Sequence, residues 1–172
     1  MSVPQNLIAL LFLRAAPQDL PYSPSLTVKL VATYIFSGIV VLQSTLNPDD
    51  LIQNLLLGLL IQWGFTFIVL GLLNHEARFH QTFGAIMGIG ALFNFLSWPI
   101  MALLGDATAD DSVKATLSLL FLMLISWEVL VKAHIYKNAL EMKMVSAMAL
   151  SFSLLFITIA LSKLIFPAEV AG

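Results

Sequence analysis

A chain of 172 residues that is 59% hydrophobic and 10% charged, with a mean hydropathy of +0.94, lacks the polar surface of a water-facing domain; soluble domains carry about a quarter charged residues. The net charge of −2 gives no footprint for nucleic acid, and the absence of cysteine excludes disulfides, thiolate metal sites and cysteine nucleophiles. Membrane spans of about 20 residues each use up nearly the whole length, so no separate soluble catalytic domain fits.

The opening MSVPQNLIALLFLRAAPQDLPYS has no basic start, and Arg14 stands where the small-residue cleavage site of a secretion signal belongs. Leu7–Leu13 is too short to span and predicts a short helix lying in the membrane interface. The proline-rich stretch Pro17–Pro24 interrupts helix and marks the entry to the bundle. Spans are expected at 30–46, 51–73, 83–104, 115–131 and 144–166. Between them lie the turn and cap signal Asn47-Pro48-Asp49-Asp50, the polar loop Asn74–Gln81, the acidic loop Gly105–Ser112 and the basic stretch Lys132–Lys143. Pro167 closes the last span, and Trp98-Pro99 predicts a kink in the third.

Long unbroken apolar runs favour helices over barrel strands, which would alternate in segments of about ten residues. The expected fold is an all-α, polytopic membrane bundle of five transmembrane helices after a short interfacial N-terminal helix. Its parts are a cytoplasmic or interfacial segment 1–29, a membrane domain 30–166 and a short external tail 167–172. Orientation follows from Lys and Arg. With the N-terminus inside, Arg14, Lys29, Arg78, Lys132, Lys137 and Lys143 fall on the inner side, and only Lys114 and Lys163 fall outside. The acids Asp49, Asp50, Asp106, Asp110, Asp111 and Glu169 fall on the other side. The expected location is a cell membrane, the bacterial inner membrane, with the N-terminus cytoplasmic and the C-terminus external.

Glu128 is the one acid within an expected span, and an intramembrane ionisable group points to function. It sits four residues before Lys132, the favourable order for a helical ion pair near the inner end of the fourth span. The amides Asn54, Gln62 and Asn94 should face other helices or a water-filled cavity, because facing lipid is costly. His75, Glu76 and His80 cluster on an inner loop. The two histidines stand about 140° apart around a helix, so they do not form a His-x-x-x-His zinc pair, and no metal site is expected. Gly84 and Gly88 make a Gly-x-x-x-Gly stripe for close helix packing, within one chain or between chains. Trp63 and Trp127 read as packing or interface residues. No nucleophile motif, phosphate loop or dinucleotide fingerprint occurs, so no catalytic residue or cofactor is expected.

The stretch LGLLNHEARFHQTFGAIMGIGALFNFLSWP, Leu70–Pro99, resembles the core of the Yip1 domain family through Phe79, Gln81, Thr82, Phe83, Gly88 and Pro99. Ser126–Leu150 resembles that family's tryptophan-containing fourth span and small inner loop. The resemblance implies five spans with a cytoplasmic N-terminus. Eukaryotic members carry a longer N-terminal region that engages small GTPases, and this sequence shows no counterpart to it. A bacterial-type member is the expectation, with its biochemical role left open.

Two functional readings remain. One is a non-enzymatic scaffold or adaptor, acting through helix and loop contacts with lipid, a protein partner or a second copy of itself. The other is a small transporter or channel subunit built on Glu128, Asn54, Gln62 and Asn94. A polar cavity lined by Glu128 and the amides would favour the second.

Overall fold

The computed structural model describes residues 2–43, 48–105, 108 and 110–166, with the side chains of 48–51 excepted. Six helices follow one another: α1 (Val3–Leu11), α2 (Pro24–Leu42), α3 (Pro48–Leu72), α4 (Phe79–Leu104), α5 (Asp111–Leu140) and α6 (Met144–Ile165). There is no strand among the described residues. The last five helices are each long and apolar enough to cross a membrane. The expected all-helical, five-span architecture is what the chain forms.

Helix boundaries follow local chemistry. α2 starts at Pro24, earlier than hydropathy predicts, because the Ser23 hydroxyl accepts from Leu26 N at 3.3 Å and proline suits the first helical position. α4 starts at Phe79, after a 3-10 turn at Glu76–Arg78, and continues through Pro99. Pro48 opens α3. Residues 44–47, 106, 107, 109 and 167–172 lie outside the described residues, and with them the Asn47 cap, Asp106, Pro167, Glu169 and the external tail. No side-chain role is assigned to Asp49 or Asp50.

The largest departure is in α5. The expected span ended at Val131, with a basic loop to follow, but the helix runs on to Leu140. Val131, Ala133, Ile135, Tyr136, Ala139 and Leu140 form a buried face that the interleaved Lys132, His134, Lys137 and Asn138 hide from a hydropathy average. Glu141, in the left-handed conformation at φ 54°, ends the helix.

α4 is the central helix. Its run Thr82–Ala91 is buried throughout, with α2 along one side, α5 along another, and α6 against α5. The Gly-x-x-x-Gly stripe makes this possible. A Cβ on Gly84 would lie 3.5 Å from both Leu30 Cδ1 and Thr27 Oγ1, and one on Gly88 would lie 2.6 Å from Leu7 Cδ2. The stripe is therefore filled within the chain, by α2 and α1, and is not a free face for a second copy.

α1 is the expected short N-terminal helix, and it is also part of the bundle. Leu10 is fully buried, Leu7 fills the space over Gly88, and Ile8 and Phe12 stay exposed. The following strap, residues 12–20, is tied down by its own backbone. Gln81 Nε2 donates to Leu20 O (2.7 Å) and Gln18 O (3.1 Å), and Asn6 Nδ2 donates to Asp19 O (2.7 Å). Gln18 Nε2 donates to Asn138 O (2.7 Å), and His134 Nε2 meets Ala15 O at 2.8 Å. At the same end, Arg78 Nη1 donates to Ala139 O at 2.8 Å. The strap and the Glu76–Arg78 turn thus satisfy two carbonyls in the last turn of α5 that the helix itself leaves open.

The molecule is apolar outside as well as in its core, with a few polar side chains buried among the helices. Leu164, Met123 and Phe156 are 64–77% exposed, whereas Ser37, Gln62, Thr66, Thr82 and Ser151 are buried. A water-soluble fold turns polar groups outward; this one is stable where lipid tails cover the outside.

Candidate functional site

The site grows from one turn of α5. Lys132 Nζ donates to Glu128 Oε1 at 2.7 Å, one helical turn apart, with side chains 16% and 27% exposed. Because α5 extends to Leu140, Glu128 lies about 18 Å from that end of a helix about 45 Å long. The pair therefore sits in the interior of α5 and not at the helix end the sequence suggested. Lys132 likewise leaves the inner basic loop for the interior.

Two chambers adjoin at Glu128, and Lys132 lines the first of them. The first, of about 160 Å³, lies among α2, α3, α5 and α6 and is lined by Tyr34, Gln62, Glu128, Lys132, Ser151 and Thr158 among others. The second, of about 190 Å³, lies among α2, α4 and α5, with Asn94, Ser97, Phe121 and Met101 in its wall. Ile125 and Glu128 border both. At 1.5 Å per residue, Tyr34 and Gln62 lie about 15 Å and Asn94 about 22 Å from the strap end of their helices, to either side of the roughly 18 Å at which Glu128 lies in α5.

The surrounding polar groups are partly satisfied. Gln62 Nε2 donates to Tyr34 OH at 3.1 Å and to Gly58 O at 3.4 Å. Asn94 Nδ2 donates to Ser37 Oγ at 3.0 Å, and Ser37 Oγ in turn donates to Tyr34 O at 2.9 Å. This links α2, α3 and α4 around the pair. Gln62 Oε1 and Ser151 Oγ, both buried in the first chamber, have no hydrogen-bond partner. An unmet buried polar atom costs about 1–3 kcal/mol, so Gln62 Oε1 marks a place for a donor and the Ser151 hydroxyl a place for a donor or an acceptor.

The other expected residues fall elsewhere. Asn54 is half-buried towards the far end of α3 and lines neither chamber. His75 bonds Leu73 O at 2.6 Å, Glu76 is exposed, and His80 packs edge-on against Tyr22. They do not converge, and no metal-binding group of histidine, cysteine and acids occurs among the described residues. Trp63 stacks on Phe67, and Phe79 joins that aromatic ladder edge-on. A broad open hollow of about 800 Å³ beside α1 and Arg14 is larger than either chamber, but no orphaned polar atom lines it.

Residues that sequence reading missed are Tyr34, Ser37, Ser97 and Ser151 at the pair, and Gln18, Arg78, Gln81, His134 and Asn138 at the strap. The residues behind the Yip1 resemblance have physical roles here: Gln81 clamps the strap, Gly88 admits Leu7, and Phe79 and Phe83 stack at 5.4 Å. Outside the spans, Arg78 also pairs with Glu141 and, by that hydrogen bond and its charge, holds the carboxyl below its ordinary value.

Compared with known protein families, curated proteins and solved structures, the chain matches none.

Proposed function

We propose that the protein is a non-enzymatic membrane carrier, or the membrane subunit of one, that binds a small polar solute inside the bundle beside Glu128 and Lys132. The observation that supports this is the Glu128–Lys132 ion pair in the wall of the first chamber, with Glu128 also bordering the second. A buried pair is expensive to desolvate, by several kcal/mol per ion, and apolar residues of similar volume would hold helices together as well or better. A purely structural contact gives no reason to keep it. The glycine stripe is packed within the chain and so lends no face to an adaptor, which would have to use the loops.

The proposal places the protein in a bacterial inner membrane with the N-terminus cytoplasmic, in the layout of Yip1-like proteins. Arg14, Lys29, Arg78, Lys137 and Lys143 gather towards the strap end, against Lys114 and Lys163 towards the other, which favours a cytoplasmic strap even with Lys132 removed from the count.

The test is uptake into proteoliposomes holding the purified protein, using a panel of small neutral, zwitterionic and singly charged solutes, with Glu128→Gln as control. Saturable uptake of some solute that the substitution abolishes is expected. If no solute crosses faster than in protein-free vesicles, and Glu128→Gln retains every membrane partner of the parent, the adaptor reading replaces this one.

A further inference from the structure

We propose that the first chamber takes a small zwitterion, its carboxylate on the Lys132 ammonium and its ammonium held by Glu128, Gln62 Oε1 and Ser151 Oγ. The inference rests on the carrier reading and names its substrate class.

Charge comes first. Among the residues lining either chamber, Glu128 and Lys132 are the charged ones, and together they sum to zero. A cation or an anion bound there would leave an uncompensated charge inside the bundle, where it is costly. A zwitterion splits the pair and replaces each partner with a charge of the same sign, so the total stays at zero. A neutral solute also keeps the total but leaves the ion pair unused.

Hydrogen-bond chemistry sets the orientation. The Gln62 amide turns its NH₂ end towards Gly58 O, at 3.4 Å, and towards Tyr34 OH, at 3.1 Å. The carbonyl end, Oε1, is left as an acceptor without a donor. Ser151 Oγ, on a different helix, is also without a partner, although Ser153 and Thr158 on the same helix bond their own backbone. Gln62 is 6% and Ser151 2% exposed. Two acceptors and a carboxylate around one chamber suit the three N–H donors of an ammonium, while Lys132 offers N–H groups beyond the one directed to Glu128.

Size suits a small solute. The chamber is partly open, and its volume of about 160 Å³ holds a few waters at about 30 Å³ each. That fits a molecule of about six heavy atoms, the size of alanine, with Val129, Leu154 and Leu155 to receive a methyl group.

The experiment is equilibrium binding of radiolabelled alanine to the full chain in mild detergent, competed by unlabelled alanine, propionate or ethylamine. Saturable alanine binding is expected, with each one-charge analogue competing roughly tenfold or more weakly. Gln62→Leu and Ser151→Ala should each weaken alanine binding roughly tenfold. Thr66→Val, on the same helix as Gln62 but outside the chamber, should leave it unchanged, and thermal unfolding of each variant identifies loss of fold. Equal competition by propionate or ethylamine, or folded Gln62 and Ser151 variants that bind alanine as the parent does, would overturn the inference. If alanine fails to bind while another solute crosses vesicles in a Glu128-dependent way, the zwitterion is refuted and the carrier stands. If nothing binds or crosses, both fall.

Discussion

Neutralising Lys132 alone should damage the protein more than neutralising it together with Glu128. Lys132→Met leaves the Glu128 carboxylate without the ammonium that sits 2.7 Å away, in side-chain surroundings only 27% exposed. Breaking a fully buried pair costs about 3–5 kcal/mol; because the two chambers let some water reach this one, about 2–3 kcal/mol is expected. Glu128→Gln keeps an oxygen for Lys132 and loses the charge, and should cost about 1–2 kcal/mol. The double substitution returns the site to zero charge with side chains of nearly the same volume, and should fall within about 1 kcal/mol of the parent. The cycle therefore predicts a coupling of at least about 2 kcal/mol. Trp127 and Trp63, each adjacent in sequence to a site residue, report unfolding in mild detergent by fluorescence. If each single change costs under about 0.5 kcal/mol and the two simply add, the pair lies in a water-like environment and the buried site is refuted.

Three other outcomes follow from the packing and the strap. Gly88→Leu should destabilise by about 1–3 kcal/mol, because a Cβ alone would already meet Leu7 Cδ2 at 2.6 Å and a full leucine must displace that side chain; thermal unfolding checks this, and a more stable variant would contradict the packing. Gln81→Leu removes both bonds to the strap carbonyls and should cost about 1–2 kcal/mol, read as faster tryptic cleavage at Arg14; an unchanged rate would mean that Gln81 does not hold the strap. Glu141 has a carboxyl held below its ordinary 4.5 by Arg78, so its contribution is present above that value and is lost as pH falls through the lowered one. The stability difference between the parent and Glu141→Gln should therefore be visible at about pH 6 and shrink towards about pH 3; a difference that grows with acid would reverse the sign.

The five spans are legible because lipid demands long apolar runs, and those runs stand out in any window. The end of α5 is not. Lys132 and Lys137 lower the average hydropathy, although Ala133, Ile135 and Tyr136 between them and Ala139 beyond are fully buried. Gln62, Asn94 and Glu128 were visible as lone polar groups in apolar helices. Ser151 was not, because serine in a membrane helix ordinarily bonds its own backbone, as Ser153 does to Ala149 O at 2.8 Å. Only coordinates distinguish the two. The strap was hidden for a related reason. Gln18, Arg78 and Gln81 reach backbone carbonyls, which leave no trace in residue identity. The histidine loop was the opposite case, a group of chemically suggestive residues close in sequence that the 3-10 turn at Glu76–Arg78 does not gather.

The chain has no cysteine, so single cysteines can report what surrounds each position. In the protein reconstituted into vesicles, Ser151→Cys and Ser97→Cys, which line the two chambers, are compared with Phe156→Cys on the 64% exposed lipid face, using a small water-soluble thiol reagent that reacts with the thiolate. The account predicts that both chamber cysteines react while the lipid-facing one stays inert. Chamber cysteines as unreactive as Phe156→Cys would mean a dry interior, and the polar site would have no route for a solute.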